Sequence, residues 1–211
     1  MGAGRTDAGV HAKQLFAHFD AAEIENREEL VFRLNSFLPK DIAVRQVHKV
    51  LPEAHARFDA TAREYEYIIV LGKDPFAQNL AHQVHVRPNV ERMNEAAKLL
   101  LDYNDFQCFS RSKTDVKTYH CKIMKAYWTQ HGRTLVFTVE ADRFLRNMVR
   151  AIVGTLLDIG SGKTSIEEFH AILQSKDRSR AGASAPAHGL YLTSVRYPEK
   201  FFEPTSNENS I

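Results

Sequence analysis

Apolar and polar positions repeat with two different periods along the chain, and the changes of period mark its elements. Leu30, Val31, Leu34 and Phe37 recur at helical spacing, which predicts a helix over residues 23–37 that Pro39 ends. Alternation predicts strands at residues 14–19, where Leu15, Ala17 and Phe19 fall on one face, and at residues 42–50. A longer strand is expected over residues 61–71, with Tyr65, Tyr67 and Ile69 sharing a face. Glycine, proline and asparagine crowd residues 72–88, which read as a boundary or crossover. Beyond them the pattern predicts a helix over 90–101, strands at 120–128 and 134–140 joined across His131-Gly132, and an amphipathic helix over 144–159 closed by Gly160 and Gly162. A short helix at 166–173 and a strand at 190–196 follow, and the chain is polar from Glu203.

Two successive clusters of strands and helices make the expected fold class α+β. The expected organisation is two α/β halves, residues 1–75 and 86–198, sharing one sheet with a cleft between them, then a polar tail at 199–211. With 211 residues, 44% hydrophobic and 26% charged, the sequence can bury a core without staples and is not of a disordered, collagen-like or coiled-coil kind. Cys108 and Cys121 are too few for a disulfide framework and fit a reducing compartment. No apolar run is long enough to span a membrane and no signal-peptide pattern opens the chain, so the expected location is the cytoplasm. Lys and Arg number 28 against 26 Asp and Glu, a net charge of +2. Any nucleic-acid partner must therefore be argued from where the charge sits.

Chemistry-bearing residues gather in a few places. Gly4-Arg5-Thr6-Asp7-Ala8-Gly9-Val10-His11-Ala12 sets Asp7 on a glycine-flanked loop ahead of a strand. A carboxylate held near backbone N–H groups stays ionised and can act as nucleophile or base; the same spacing also suits a plain turn with a capping Asp. At the start of the amphipathic helix, Arg143, Arg146 and Arg150 fall within a sector of about 60°, opposite Leu145, Val149, Ile152 and Leu156. Such a stripe holds a phosphate, pairs with a catalytic carboxylate, or is simply a solvated face. Arg57 and Arg63 interleave with Tyr65 and Tyr67, which suits a flipped or single-stranded base and equally a strand core. Arg111, Lys113, Lys117, Lys122 and Lys125 either track a phosphate backbone or line a soluble strand edge. Cys108, His120 and Cys121 lack a paired Cys-x2-Cys, and His82 and His85 have no companion pair, so no metal is expected. A phosphate-binding loop, a Gly-x-Ser-x-Gly elbow and a dinucleotide fingerprint are all missing.

The nine residues from Gly4 to Ala12, His55-Ala56-Arg57-Phe58, Ala62-Arg63-Glu64-Tyr65-Glu66-Tyr67-Ile68-Ile69, Phe144-Leu145 with Met148-Val149-Arg150, Ile152-Val153-Gly154 and Ala187-His188-Gly189-Leu190-Tyr191-Leu192 occur in an order that resembles the TruA family of tRNA pseudouridine synthases, nearly to Pro198. That resemblance implies a mixed, mostly antiparallel sheet with helices on one side. It also implies isomerisation of uridine to pseudouridine in the anticodon arm of tRNA, at positions 38–40, without a cofactor, by a homodimer. Carried over by motif, Asp7 is the nucleophile, acting on the sugar or on the base. Arg150 is the partner that keeps Asp7 ionised and oriented, and Tyr65 is the ring that stacks on the flipped uracil and takes part in later proton removal. Arg5 helps hold the target nucleotide out of its stack, Leu190 is an apolar pocket wall, and Arg57, Lys113 and Lys117 are candidates for backbone contact. Family members carry roughly one more strand and helix ahead of the catalytic loop, so the expected first half is incomplete. The alternative is a truncated, catalytically silent RNA-binding remnant of the same family.

Overall fold

In the computed structural model, which describes residues 1–4, 6–111 and 117–202, the alternation at the chain's most regular strand sets the centre of the fold. The strands are β1 (His11–Ala12), β2 (Ala62–Leu71), β3 (His82–Val84), β4 (Ile123–His131), β5 (Thr134–Ala141) and β6 (Leu190–Arg196); the helices are α1 (Arg27–Phe37), α2 (Val90–Leu99), α3 (Met148–Gly160) and α4 (Ile166–Ser175). They form one sheet in the order β1-β6-β2-β5-β4, with β3 added to β2. The β2–β5, β2–β6 and β4–β5 pairs are antiparallel, whereas β1–β6 and β2–β3 are parallel. The fold is thus α+β with a mixed, mostly antiparallel sheet.

Period two separates the sheet's faces. Tyr65, Tyr67 and Ile69 of β2, Leu135, Phe137 and Val139 of β5 and Trp128 of β4 are buried in one cluster with Met93, Ala96 and Ala97 of α2, Ile152 and Leu156 of α3 and Phe169 of α4. Burying the side chains of that cluster supplies the main stabilisation. The opposite face is charged: Glu64, Glu66 and Glu140 pair with Lys125, Lys13 and Arg196.

Two expected strands are absent, and the reason is the lack of a partner ladder. Residues 14–19 make scattered bonds instead: the Gln14 N–H donates to the Leu192 carbonyl, and Gly2 and Ala17 form a single bridge. In residues 42–50 the Asn35 side-chain amide serves both backbone groups of Val44, accepting from its N–H at 2.7 Å and donating to its carbonyl at 2.8 Å. A side chain thereby takes the place of a neighbouring strand. In the other direction, β3 lies inside the stretch read as a crossover; three residues are too short to show a period.

The helix expected over 144–159 begins only at Met148. Asp142 accepts from the N–H groups of Lys122 and Arg143, and Asn147 stands in the left-handed region at φ 66°, so residues 142–147 form a loop. Arg143 and Arg146 therefore are not on a helix face, and the expected three-arginine stripe does not exist. Leu145, Val149, Ile152 and Leu156 are buried as the pattern required. Among the described residues no helix is long and apolar enough to cross a membrane.

Candidate active site

The loop that carries Asp7 is tied down on both sides. Ahead of it, the Ala3 N–H donates to the Phe16 carbonyl at 2.8 Å, and the Ala3 carbonyl accepts from Arg63 Nη2 at 2.9 Å. Arg63 also reaches the Asp142 carbonyl at 3.0 Å, and Arg57 offers its carbonyl to the same guanidinium. These bonds to three separate segments make Arg63 a structural staple, and its partial burial lowers its pKa from the ordinary value. Behind Asp7, the Val10 N–H closes a turn on the Asp7 carbonyl at 3.2 Å, with Gly9 at φ 82°, and β1 then joins β6.

α3 brings the cation. Arg150 lies on its first turn and donates from Nη1 to Asp7 Oδ2 at 2.7 Å and from Nε to the Ala185 carbonyl at 2.7 Å. Both side chains of the pair are about four-fifths covered, at 20% and 21% exposure. Arg146 Nε stands 3.8 Å from Asp7 Oδ1 and is 58% exposed, a much weaker contact. The pair opens onto a cavity of 720 Å³ lined by Thr6, Asp7, Ala8, Arg111, Arg146, Asn147, Arg150 and Arg178. A carboxylate with four guanidinium-bearing residues around it has the chemistry to attract an anion and to offer it a nucleophile or base.

Tyr65 lies on β2 beside a bulge against β6, 8% exposed, with the Phe144 ring edge-on at 5.2 Å. Burial raises the pKa of its hydroxyl; the Arg63 charge opposes that shift and the Asp7 charge adds to it. The other sequence candidates are dispersed. Arg57 stacks its guanidinium over Phe58, Leu190 is buried in the core, and Lys117 is exposed outside the cavity lining. Arg5 and Lys113 lie outside the described residues. Cys108 and Cys121 are buried thiols, each pushed up to about 12 by burial. Among the described residues no group of three or more His, Cys, Asp or Glu is placed to hold a metal.

Comparison with known proteins decides the family. The sequence model described as tRNA pseudouridine synthase matches residues 96–198. A tRNA pseudouridine synthase A of Parabacteroides distasonis is 55% identical over 203 residues, covering 96% of this chain and 81% of the relative. The chain belongs to the tRNA pseudouridine synthase family. A Bacteroides fragilis relative of the same name is 52% identical over 205 residues, with 96% and 81% coverage, and one from Bacillus subtilis is 42% identical over 199 residues, with 93% and 81% coverage. Within this tRNA pseudouridine synthase fold, two cavity residues had no signal in the sequence reading, Asn147 and Arg178. The only hint was the run of small residues at 181–187 that Arg178 precedes, a composition suited to a segment packed close on a helix.

Proposed function

We propose that this chain converts uridine to pseudouridine in tRNA, in the anticodon arm at positions 38–40, with Asp7 as the nucleophile. The observation that carries this reading is the Asp7–Arg150 pair, 143 residues apart in sequence and joined at 2.7 Å on the wall of an arginine-lined cavity. Arg150 holds and aims the carboxylate; the Ala185 carbonyl keeps Arg150 in place. Arg111 and Arg146, on the same wall, meet the phosphates that flank the target uridine.

The reaction needs no external reagent. The N1–C1′ glycosidic bond breaks, the uracil turns while held, C5 bonds to C1′, the C5 proton leaves, and N1 gains a proton. Attack by Asp7 at the sugar or at the base uses the same carboxylate, held in the same place by Arg150. A stacked nucleotide must first be extruded, and its base then needs a ring to rest on. Tyr65 takes that role once residues 142–147, which carry the covering Phe144, move aside. A homodimeric state and a cytoplasmic location go with this reading, the latter supported by two cysteines that are both free thiols. A division into the units 1–75, with Asp7, and 86–198, with Arg150, goes with this reading too, the strand β2 of the first unit lying between β6 and β5 of the second.

The test is incubation of the purified chain with tRNA carrying uridine tritiated at C5, read by tritium released to water, with the modified positions mapped by nuclease digestion and mass spectrometry of the fragments. Pseudouridine is expected at positions 38–40, and Asp7→Ala is expected to form none while still binding tRNA. Turnover retained by Asp7→Ala overturns the nucleophile assignment; binding without turnover by the unaltered chain points to the RNA-binding remnant.

A further inference from the structure

Seven small residues, Ala-Gly-Ala-Ser-Ala-Pro-Ala at 181–187, form a strap that lies directly on the α3 backbone. A Cβ at Gly154 would stand 1.7 Å from the Ala183 carbonyl oxygen, and one at Gly182 would stand 2.6 Å from Asp158 Oδ2. The Gly182 N–H donates to Thr155 Oγ1 at 2.9 Å. At the other end, Ala185 exchanges two bonds with Arg150: its N–H donates to the Arg150 carbonyl at 2.9 Å, and its carbonyl accepts from Arg150 Nε at 2.7 Å. Where the strap sits therefore sets where the Arg150 guanidinium points.

Arg178 grips the strap from the side of the cavity. Its Nη1 donates to the carbonyls of Ala181 at 3.3 Å and Gly182 at 3.1 Å, and its Nη2 donates to Ser184 Oγ at 2.9 Å. The same hydroxyl oxygen accepts from Asn147 Nδ2 at 2.5 Å. Asn147 occupies the left-handed position between Arg146 and α3, where asparagine is tolerated better than most residues, and its side chain reaches Ser184 instead of capping the helix. Three Arg178 hydrogen bonds, from both terminal nitrogens, run to the strap, so most of its donor capacity is spent there rather than held for a substrate phosphate.

We propose that Arg178, Ser184 and Asn147 are positioning residues of the reaction. They hold the strap so that the Ala185 carbonyl fixes Arg150 against Asp7, and they do not touch the nucleotide. This rests on the Asp7–Arg150 reading of the site. A phosphate-binding Arg178 would show in tRNA affinity, whereas a positioning Arg178 shows in the rate at saturating enzyme.

The experiment compares Arg178→Gln, Ser184→Ala, Asn147→Gly and the Arg178→Gln/Ser184→Ala double variant of the full chain, by single-turnover pseudouridine formation and by tRNA binding. Each single substitution is expected to slow turnover about 10- to 100-fold with tRNA affinity changed less than about threefold. The double variant is expected to be no slower than the worse single, because both changes cut one line of contacts. Asn147→Gly keeps the left-handed backbone and removes only the amide, so its loss assigns the effect to the bond. A readout independent of turnover is the Nε–H resonance of Arg150, assigned by its disappearance in Arg150→Lys. Its exchange with water is slow while it is bonded to Ala185 and is expected to become fast in Ser184→Ala and Arg178→Gln. Weakened tRNA binding with an unchanged saturated rate in Arg178→Gln overturns the proposal, as does Ser184→Ala with a normal rate and a protected Arg150 signal. If Arg178→Gln does not fold, Ser184→Ala and Asn147→Gly decide the matter. Turnover retained in Asp7→Ala is a different failure, that of the site reading, and leaves the resonance test in force.

Discussion

Replacing Arg150 by alanine removes two charge-assisted hydrogen bonds, one to Asp7 Oδ2 and one to the Ala185 carbonyl, both at 2.7 Å. Bonds of this kind contribute about 1.5–3 kcal/mol each when largely shielded from water. Only the bond to Asp7 orients the nucleophile, and its contribution of about 1.5–3 kcal/mol corresponds to a rate loss on the order of 10- to 150-fold. Arg146 provides the internal control. Its Nε is 3.8 Å from Asp7 Oδ1 and its side chain is 58% exposed, so solvent screening leaves about 0–1 kcal/mol and a loss of less than about fivefold. Arg150→Lys keeps the charge but cannot serve both acceptors with a planar fork, and is expected to recover no more than about tenfold over Arg150→Ala. The assay is tritium release from tRNA with uridine labelled at C5, where bond formation to C1′ expels the label, run with enzyme in excess so that product release does not enter. Equal losses in Arg146→Ala and Arg150→Ala would refute the reasoning, because the two arginines would then act only as a basic surface for RNA.

Two further outcomes follow from the packing. Gly154→Ala puts a Cβ 1.7 Å from the Ala183 carbonyl oxygen and must displace the strap or α3, so a stability loss of about 1–3 kcal/mol or more by urea unfolding is expected together with lost turnover; an unchanged unfolding midpoint contradicts the close approach. Burial holds Cys108 and Cys121 as neutral thiols, each raised from 9.0 to about 12, so both are expected to resist thiol reagents at pH 8 until the chain unfolds. The sign of the linkage is that of a raised pKa: their contribution to stability is full below about pH 9, where the unfolded thiols are also neutral, and is lost as pH rises from there toward 12. Rapid labelling of the folded chain, or a urea midpoint that rises through that window, would be incompatible with their burial.

Legibility in the sequence followed burial. β2, β5 and β6 carry period-two patterns because one face meets the helices, and α2 and α4 carry helical spacing because Met93, Ala96, Phe169 and Ile172 face the core. Residues 14–19 and 42–50 also alternate, yet a strand exists only where another strand stands beside it, and here Asn35 and single bridges take up the backbone groups. The start of α3 was misplaced because Leu145 continues the apolar period through a loop; the left-handed Asn147 that interrupts the helix leaves the hydrophobic pattern intact. Tyr65 was legible as an aromatic in a strand, but its cover by Phe144 was not.

The sequence by itself determined the family, through ordered motifs, the apolar periods that build the sheet and its helices, and the residue types available for catalysis. Tertiary structure alone decided which of those residues act together. Asp7 and Arg150 are far apart along the chain and become a pair because β1 docks on β6 and α3 is locked under the strap. The same folding fastened Arg63 to backbone carbonyls as a staple and turned Arg178 toward Ser184. Charge and hydrogen-bonding capacity are properties of a residue type; the distance and shielding that make a 2.7 Å ion pair worth more than a surface contact are properties of the packed chain.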